Sequence, residues 1–324
     1  MASFISVILA TRDRQALLAE TLEALAAQEW PRDLGEIIVA DNGSTDGTRD
    51  VVAAAIARGE GLPIQYLYVA EPGKSAAVNA ALQQAQGDVL AFTDDDVLPD
   101  PAWLERIARA FDNPAVDFVA GRILPRWESP APAWMSPSLY GVLAISDAGD
   151  QPLRIRTGQE HPMTIGANMA VRASVIRRLG GLRRDLGKLG GTLRTGEDHE
   201  FFLRMMHGGC EGVYEPAAVV RHFVPSSRLD RAYFRSWLYQ NGQDVARLET
   251  AYPAGPRLLR VPRYFWRGAV SDLLAAARAT AAFDARARFA ALVRLIWLAG
   301  YMRAAWSGDA HAPAPPVMRT AVGP

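Results

Sequence analysis

Cysteine is nearly missing from this 324-residue chain, with Cys210 standing alone. No intrachain disulfide and no thiolate metal cluster can form from one thiol. That fits a reducing compartment, and a cytoplasmic location is the expectation. Lysine is almost as scarce, with only Lys74 and Lys188. Among so many arginines and alanines this reads as a bias of the source genome, so arginine in place of lysine carries no functional message. An excess of either charge is missing too: Lys+Arg and Asp+Glu are both 35 and the net charge is +0. A global basic field that would attract nucleic acid is therefore excluded. The opening "MASFISVILATRDR" has no positive segment ahead of its apolar residues and no small-residue cleavage site. It reads as a first strand rather than a targeting signal, and its apolar run is far too short to span a bilayer. Neither GxGxxG nor GxxxxGK[ST] follows it, which sets aside the dinucleotide and P-loop readings.

What is present is an ordinary globular composition, 49% hydrophobic and 22% charged, in a chain long enough for one large α/β domain or two smaller ones. The first half alternates two periods. Ile5 to Leu9, Glu36 to Ala40, Ile64 to Val69 and Asp88 to Phe92 are short apolar runs of strand type. Between them lie helical stretches: about Arg14 to Gln28 (Leu17, Leu18, Thr21, Leu22 and Leu25 at helical spacing), the stretch through Val51, Val52 and Ile56, and Ser75 to Gln86. Ser44, Thr45 or Asp46 of "DNGSTDGT" offers an N-cap for the second helix. Strand–helix–strand repetition implies a parallel sheet with helices on both faces, and in such sheets ligands collect at the carboxyl ends of the strands. Thr11-Arg12, Asp41-Asn42 and Asp94-Asp95-Asp96 all follow strand ends. Three polar clusters thus converge on one edge.

"FTDDDV", residues 92–97, is the sharpest of them. Adjacent carboxylates repel and push at least one pKa upward unless a positive charge sits between them. A solvated turn is the bland explanation, and a bound cation the functional one. Farther along, the proline-rich 125–141 contains Trp127, Trp134 and Tyr140, more aromatic than a disordered linker. It is read as an ordered loop or flap whose aromatics suit a sugar, a lipid or simple packing. A glycine-rich stretch then leads into Gly196-Glu197-Asp198 and an apolar helix with Phe201, Phe202, Met205 and Met206, so a mobile loop beside an acid is expected.

"SVILATRDR", "IIVADNGSTDGT", "EPGKSAAVNAAL", "GDVLAFTDDDV", "GANMAVR" and "GEDHEFFLRM" resemble, in order and spacing, the successive motifs of family 2 glycosyltransferases. The resemblance spans roughly residues 4–225. Any one motif is weak, but the ordered set of six is specific. It implies an α/β GT-A fold: a Rossmann-like mixed sheet flanked by helices. It implies an inverting enzyme that moves a sugar from a nucleotide-diphosphate donor, with UDP expected, to an acceptor hydroxyl, using Mn²⁺ or Mg²⁺.

By that resemblance Asp96 is the most direct metal ligand. Asp94 contacts the ribose or the metal shell, Asp95 does either, and His222 of "VVRHFVP" is a further metal ligand. Hard cations take carboxylate oxygen and stabilise a departing diphosphate. Asp41 matches the position that hydrogen-bonds the nucleotide base, Thr11 and Arg12 line the base or phosphate pocket, and Lys74 and Asn79 lie near the nucleotide. Many family members carry Arg before that Asn, where this chain has Val78. Asp198 matches the general base with Glu197 beside it, though acids at a helix start are also favoured by the helix dipole alone.

The expected domains are a GT-A catalytic domain over 1–250 (nucleotide half about 1–122, acceptor half about 123–250), an arginine-rich helical extension over 251–306, and a disordered tail over 307–324. Between Pro253 and Arg303 nine arginines (257, 260, 263, 267, 278, 286, 288, 294, 303) face two acids, Asp272 and Asp284. The apolar residues among them do not read as a spanning helix. They leave peripheral association with the inner face of a membrane, packing on the domain, or contact with another subunit. The expected acceptor is a glycan, a lipid carrier, a protein or a small molecule, with the arginine-rich end favouring a lipid-linked or surface-assembled glycan. Two rivals remain from other classes. A catalytically inactive GT-A scaffold would be expected to lose Asp96 or Asp198, and a sugar-1-phosphate nucleotidyltransferase would carry a glycine-rich, Arg-bearing loop where this chain has "ATRDRQALL".

Overall fold

The computed structural model describes residues 3–157, 162, 164–187, 196–252 and 255–307. The glycine-rich residues 188–195 and the tail 308–324, on which two of the expectations fall, lie outside that set.

Four parallel strands form the first half of the sheet: β1 (Ile5–Thr11), β2 (Gly35–Asp41), β3 (Ile64–Tyr68) and β4 (Val89–Asp94). They stand in the order β3-β2-β1-β4, linked by α1 (Gln15–Ala26), α2 (Thr48–Arg58) and α3 (Lys74–Gln84). β1 is buried on both faces, as a central parallel strand must be. Its Ile5, Val7 and Leu9 join Leu18, Leu22 and Leu25 of α1 on one side, while Ile8 meets Ala77 and Ala81 of α3 on the other. Each of those leucines contributes about 2 kcal/mol by leaving water. Helix α2 starts after Gly47, with no side-chain cap. Asp46 instead accepts the Thr48 amide two residues on, at 3.1 Å.

Beyond β4 the sheet turns mixed. β8 (Met169–Arg172) pairs antiparallel with β4, β6 (Phe118–Trp127) antiparallel with β8, and β9 (Gly212–Val224) parallel with β6. The short β5 (Val97–Pro99) and β7 (Leu153–Ile155) pair antiparallel with β9. The purely parallel sheet read from the first half is thus only part of the architecture.

Strand β9 runs much farther than the Val219-Val220 run suggests. Gly212, Tyr214, Pro216, Ala218, Val220, His222 and Val224 are buried in alternation, but Pro216 has no amide to pair. The register against β6 also jumps from Gly121↔Glu215 to Arg122↔Val219. The bulge hides one long strand behind two short ones.

Helices α4 (Trp103–Ala110) and α5 (Ala173–Leu179) flank the sheet, and α6 (Glu197–His207) carries Phe201 and Met205 into the second core. After β9 comes the long α7 (Arg231–Ala251), then the β10 (Arg257–Leu258) and β11 (Val261–Pro262) hairpin, α8 (Arg263–Ala281) and α9 (Ala285–Ser307). Helix α9 packs on α7 without side chains at the crossing. A Cβ on Gly300 would collide with the Tyr239 carbonyl oxygen, and one on Gly242 with that of Trp297. The expected boundary near 250 therefore cuts through one packed helical layer. Trp127, Trp134 and Tyr140 belong to this layer's core: Trp134 lies edge-on between Phe234 and Phe289, and Trp127 meets Tyr140.

Candidate active site

The β1–β2 register places Thr11 beside Asp41, and the β1–β4 register places Ala10 beside Asp94. The carboxyl ends of three adjacent strands thus open onto one cavity of about 710 Å³. Its floor is the Asp94–Asp96 loop. Lys74, at the start of α3, and Glu197 and Asp198, at the start of α6, stand across from it.

The three aspartates are divided between two cations of the protein itself. Arg14, just ahead of α1, donates from one guanidinium nitrogen to Asp95 Oδ1 and to Asp96 Oδ2, both at 2.8 Å. Lys74 Nζ lies 2.6 Å from Asp94 Oδ1. Thr11 Oγ1 donates to Asp95 Oδ2 at 2.8 Å, and Thr21 Oγ1, buried under α1, donates to the Asp95 carbonyl at 3.0 Å. Burial is the largest influence on Asp95; Arg14 opposes it, Asp96 adds to it, and the carboxyl is pushed up to about 6. Burial disfavours the charge on Arg14 and on Lys74 as well. The aspartates outweigh it, and both cations are held above their ordinary pKa values.

His222 reaches the cluster through the β5–β9 register. It stands opposite Val97, and the Phe223 amide donates to the Asp96 carbonyl at 2.8 Å. Its Nε2 is 3.5 Å from Asp96 Oδ1, with both side chains buried.

Lys74 also links the two ends of the cavity. Besides Asp94 it feels Asp198 and then Glu197. Glu197 is pushed up to about 7, first by burial and then by Asp198, with Lys74 opposing. Asp198 accepts the Gly166 amide at 2.9 Å. A Cβ on Gly166 would come within 2.8 Å of that carboxylate, so the residue at 166 has to be glycine for Asp198 to stand where it does. Both acids occupy the first turn of α6, where the helix dipole favours negative charge.

Of the other residues singled out in the sequence, Arg12 lines the cavity but is half exposed and pairs with Asp13 at 3.5 Å. Asp41 is buried behind the wall; its oxygens accept the Ser44 amide at 2.8 Å and the Tyr66 hydroxyl at 2.7 Å. Its neighbour Asn42 is the one on the wall. Asn79 stands away from the cavity and exchanges two hydrogen bonds with the Leu182 backbone. Asn168 ties Trp103 to the Arg122 and Ala218 carbonyls.

Several wall residues escaped the sequence reading. Arg14 is the arginine of "TRDR" that meets the carboxylates, which only the entry angle of α1 decides. His199, whose pKa is lowered by burial, and Tyr233, Trp237 and Asn241 of α7 also line the cavity. An i, i+4, i+8 spacing in α7 was the available signal.

A cation fits this donor set in one particular way. Among the described residues no three His, Cys, Asp or Glu side chains gather closely enough to hold a metal unaided. Asp96 and His222 do converge, with Asp94 nearby. One or two carboxylates completed by water and substrate phosphate oxygens is how Mg²⁺ is usually held at phosphate sites, and the added imidazole suits a transition metal better than Mg²⁺.

The sequence model of the glycosyl transferase family 2 matches residues 6–180. This chain belongs to glycosyl transferase family 2. Succinoglycan biosynthesis protein ExoM of Rhizobium meliloti (strain 1021) is 32% identical over 240 residues, 72% of each chain. Glucosyl-dolichyl phosphate glucuronosyltransferase of Haloferax volcanii is 24% identical over 267 residues, 77% of this chain and 78% of that protein. Among solved structures, the mannosyltransferase PcManGT of Pyrobaculum calidifontis, in complex with GDP-Man and Mn²⁺, aligns over 98% of this chain and 78% of its own with a TM-score of 0.60 at 21% identity. That likeness gives the fold, GT-A. The family member described here is accordingly a glycosyltransferase that draws on nucleotide-sugar donors.

Proposed function

We propose that this family 2 enzyme is a metal-dependent, inverting transferase that moves a sugar from a nucleotide diphosphate, with UDP first in line, to an acceptor hydroxyl. The observation that carries the proposal is the position of Lys74. One ammonium 2.6 Å from Asp94 that also senses Asp198 and Glu197 sets a leaving-group end and a base end within one cavity.

Asp198 takes the proton of the acceptor hydroxyl as its oxygen attacks the anomeric carbon. The bond from that carbon to the diphosphate oxygen breaks, and the electron pair leaves with the nucleotide diphosphate. The Gly166 amide fixes the carboxylate for this task. Lys74 supplies positive charge where the diphosphate departs. Asp96 and His222, with Asp94 nearby, would hold a divalent cation, which supplies Lewis-acid stabilisation of the leaving group when bound.

For the acceptor, relatives named for succinoglycan biosynthesis and for a glucosyl-dolichyl phosphate substrate favour a glycan or lipid-linked sugar. A lipid-linked acceptor agrees with peripheral attachment of the C-terminal helices to the inner face of a membrane.

The test is Asp198→Asn, which keeps an acceptor for the Gly166 amide. Transfer should fall roughly 10²–10⁴-fold with nucleotide affinity unchanged, and the wild-type product should show inverted anomeric configuration by proton coupling. Retention of configuration, or full activity in the variant, contradicts the mechanism.

A further inference from the structure

The transferase site makes no use of the outer face of α8. The inner side of this helix buries Ala276 and Ala279. On the outer side Val270, Leu273 and Leu274 are each more than half exposed. At 100° per residue they share an arc of about 100° with Ala277 and Ala281.

Large apolar side chains are exposed at both ends of the helix as well. At its start the β10–β11 turn holds out Leu258 and Leu259, again more than half exposed. Leu259 and Arg260 there adopt the left-handed region, with φ of 52° and 64°. The turn is fastened by Trp266 Nε1 donating to the Leu258 carbonyl at 3.1 Å and Trp306 Nε1 donating to the Leu259 carbonyl at 2.8 Å. At its far end Phe283 is 96% exposed and has φ 55°. A left-handed backbone costs an L-residue about 1–2 kcal/mol. Two turns that accept this cost present large apolar side chains to the outside, about 28 Å of helix apart.

The charge around this face is predominantly positive. Of its two acids, Asp272 pairs with Arg294 at 2.5 Å, and Asp284 accepts the Ala287 amide at 2.9 Å. Arg257 reaches toward Glu249 and Arg286 binds the Ala133 carbonyl. Among the described residues no carboxylate pairs with Arg260, Arg263, Arg267, Arg278, Arg288 or Arg303, all of them exposed. No helix of the described residues is long and apolar enough to cross a membrane.

We infer that the outer face of α8, with the Leu258–Leu259 turn and Phe283 at its two ends, is a docking surface for an anionic lipid bilayer. The inference rests on the peripheral attachment proposed above and assigns it to named residues. Apolar tips enter the headgroup layer while the arginines meet anionic headgroups. Two copies meeting through this face would set like charges against each other, which disfavours a dimer. The same helical layer reaches the cavity: Trp297 of α9 donates to Asn241 Oδ1 at 2.9 Å, and Asn241 lines the cavity wall.

Flotation of the full chain with phosphatidylcholine vesicles, with and without phosphatidylglycerol, tests this. Wild type should float only with the anionic vesicles and be released by high salt. Leu274→Ser with Phe283→Ser, and separately Arg267→Glu with Arg278→Glu, should each weaken flotation at least about tenfold. UDP and GDP titrations and melting curves of both variants should match wild type, since none of these residues lines the cavity. A wild-type chain that stays in solution, or both variants floating normally, overturns the inference. So does sedimentation showing a dimer that the apolar variant dissolves without any vesicle binding. Failure of the wild type to bind any nucleotide would instead strike the transferase reading and leave the vesicle result standing.

Discussion

Lys74 and Arg14 hold three neighbouring carboxylates in place by sitting between them. A divalent cation arriving at Asp94 and Asp96 competes with Lys74 for Asp94 Oδ1 and with Arg14 for Asp96 Oδ2. Lys74→Met should therefore bind free Mn²⁺ roughly tenfold more tightly, read by electron paramagnetic resonance, while binding nucleoside diphosphate roughly tenfold more weakly. Equal Mn²⁺ affinity in the two proteins would show that Lys74 does not compete. Glu197 gives a pH signature. Its carboxyl is pushed up to about 7 from 4.5, by burial first and then by Asp198. Between those values the folded protein keeps a proton that the unfolded chain releases, so stability falls as pH rises through that window. Glu197→Gln cannot ionise, and its melting temperature should gain on wild type from about pH 5 to about pH 8; a constant difference would refute the assignment. The acids themselves were legible because strand ends and helix starts announce themselves in composition. Arg14 was not, because "TRDR" offers two arginines and only the entry of α1 selects one.

At the scale of elements, the first four strands and three helices follow from periodicity, within a residue or two at most ends. Short apolar runs separated by helical spacing leave few alternatives. Strand β9 was lost to a proline and a bulge, and with it the pairing that sets His222 beside Asp96. The α7–α9 crossing was equally hidden, since Gly242 and Gly300 look like helix weaknesses when read one at a time. In space they are the contact. Gly300→Val should drive the helices apart and destabilise the protein by about 1–3 kcal/mol or more, seen as a lower denaturant midpoint. Gly268, on α8 with open space around it, is the control: Gly268→Ala should stabilise slightly. A Gly300→Val protein as stable as wild type would mean the helices cross elsewhere.

At the scale of the molecule, the mixed sheet brings polar residues of its strand ends to one cavity, and α6 and α7 line it as well. The family was legible because ordered motifs lie on strand ends. The far wall is built by helices whose sequence has no code for what they face, which is why the sugar and acceptor are not written in it. The central claim is that Asp94, Asp96 and His222 hold a metal–nucleotide complex. Calorimetric titration of UDP, GDP and dTDP, each with Mn²⁺ and with chelator, tests it most directly. One nucleotide should bind only with metal, and Asp96→Ala should abolish that binding while leaving the melting temperature nearly unchanged. Binding that ignores the chelator, or survives Asp96→Ala at full strength, would contradict the account.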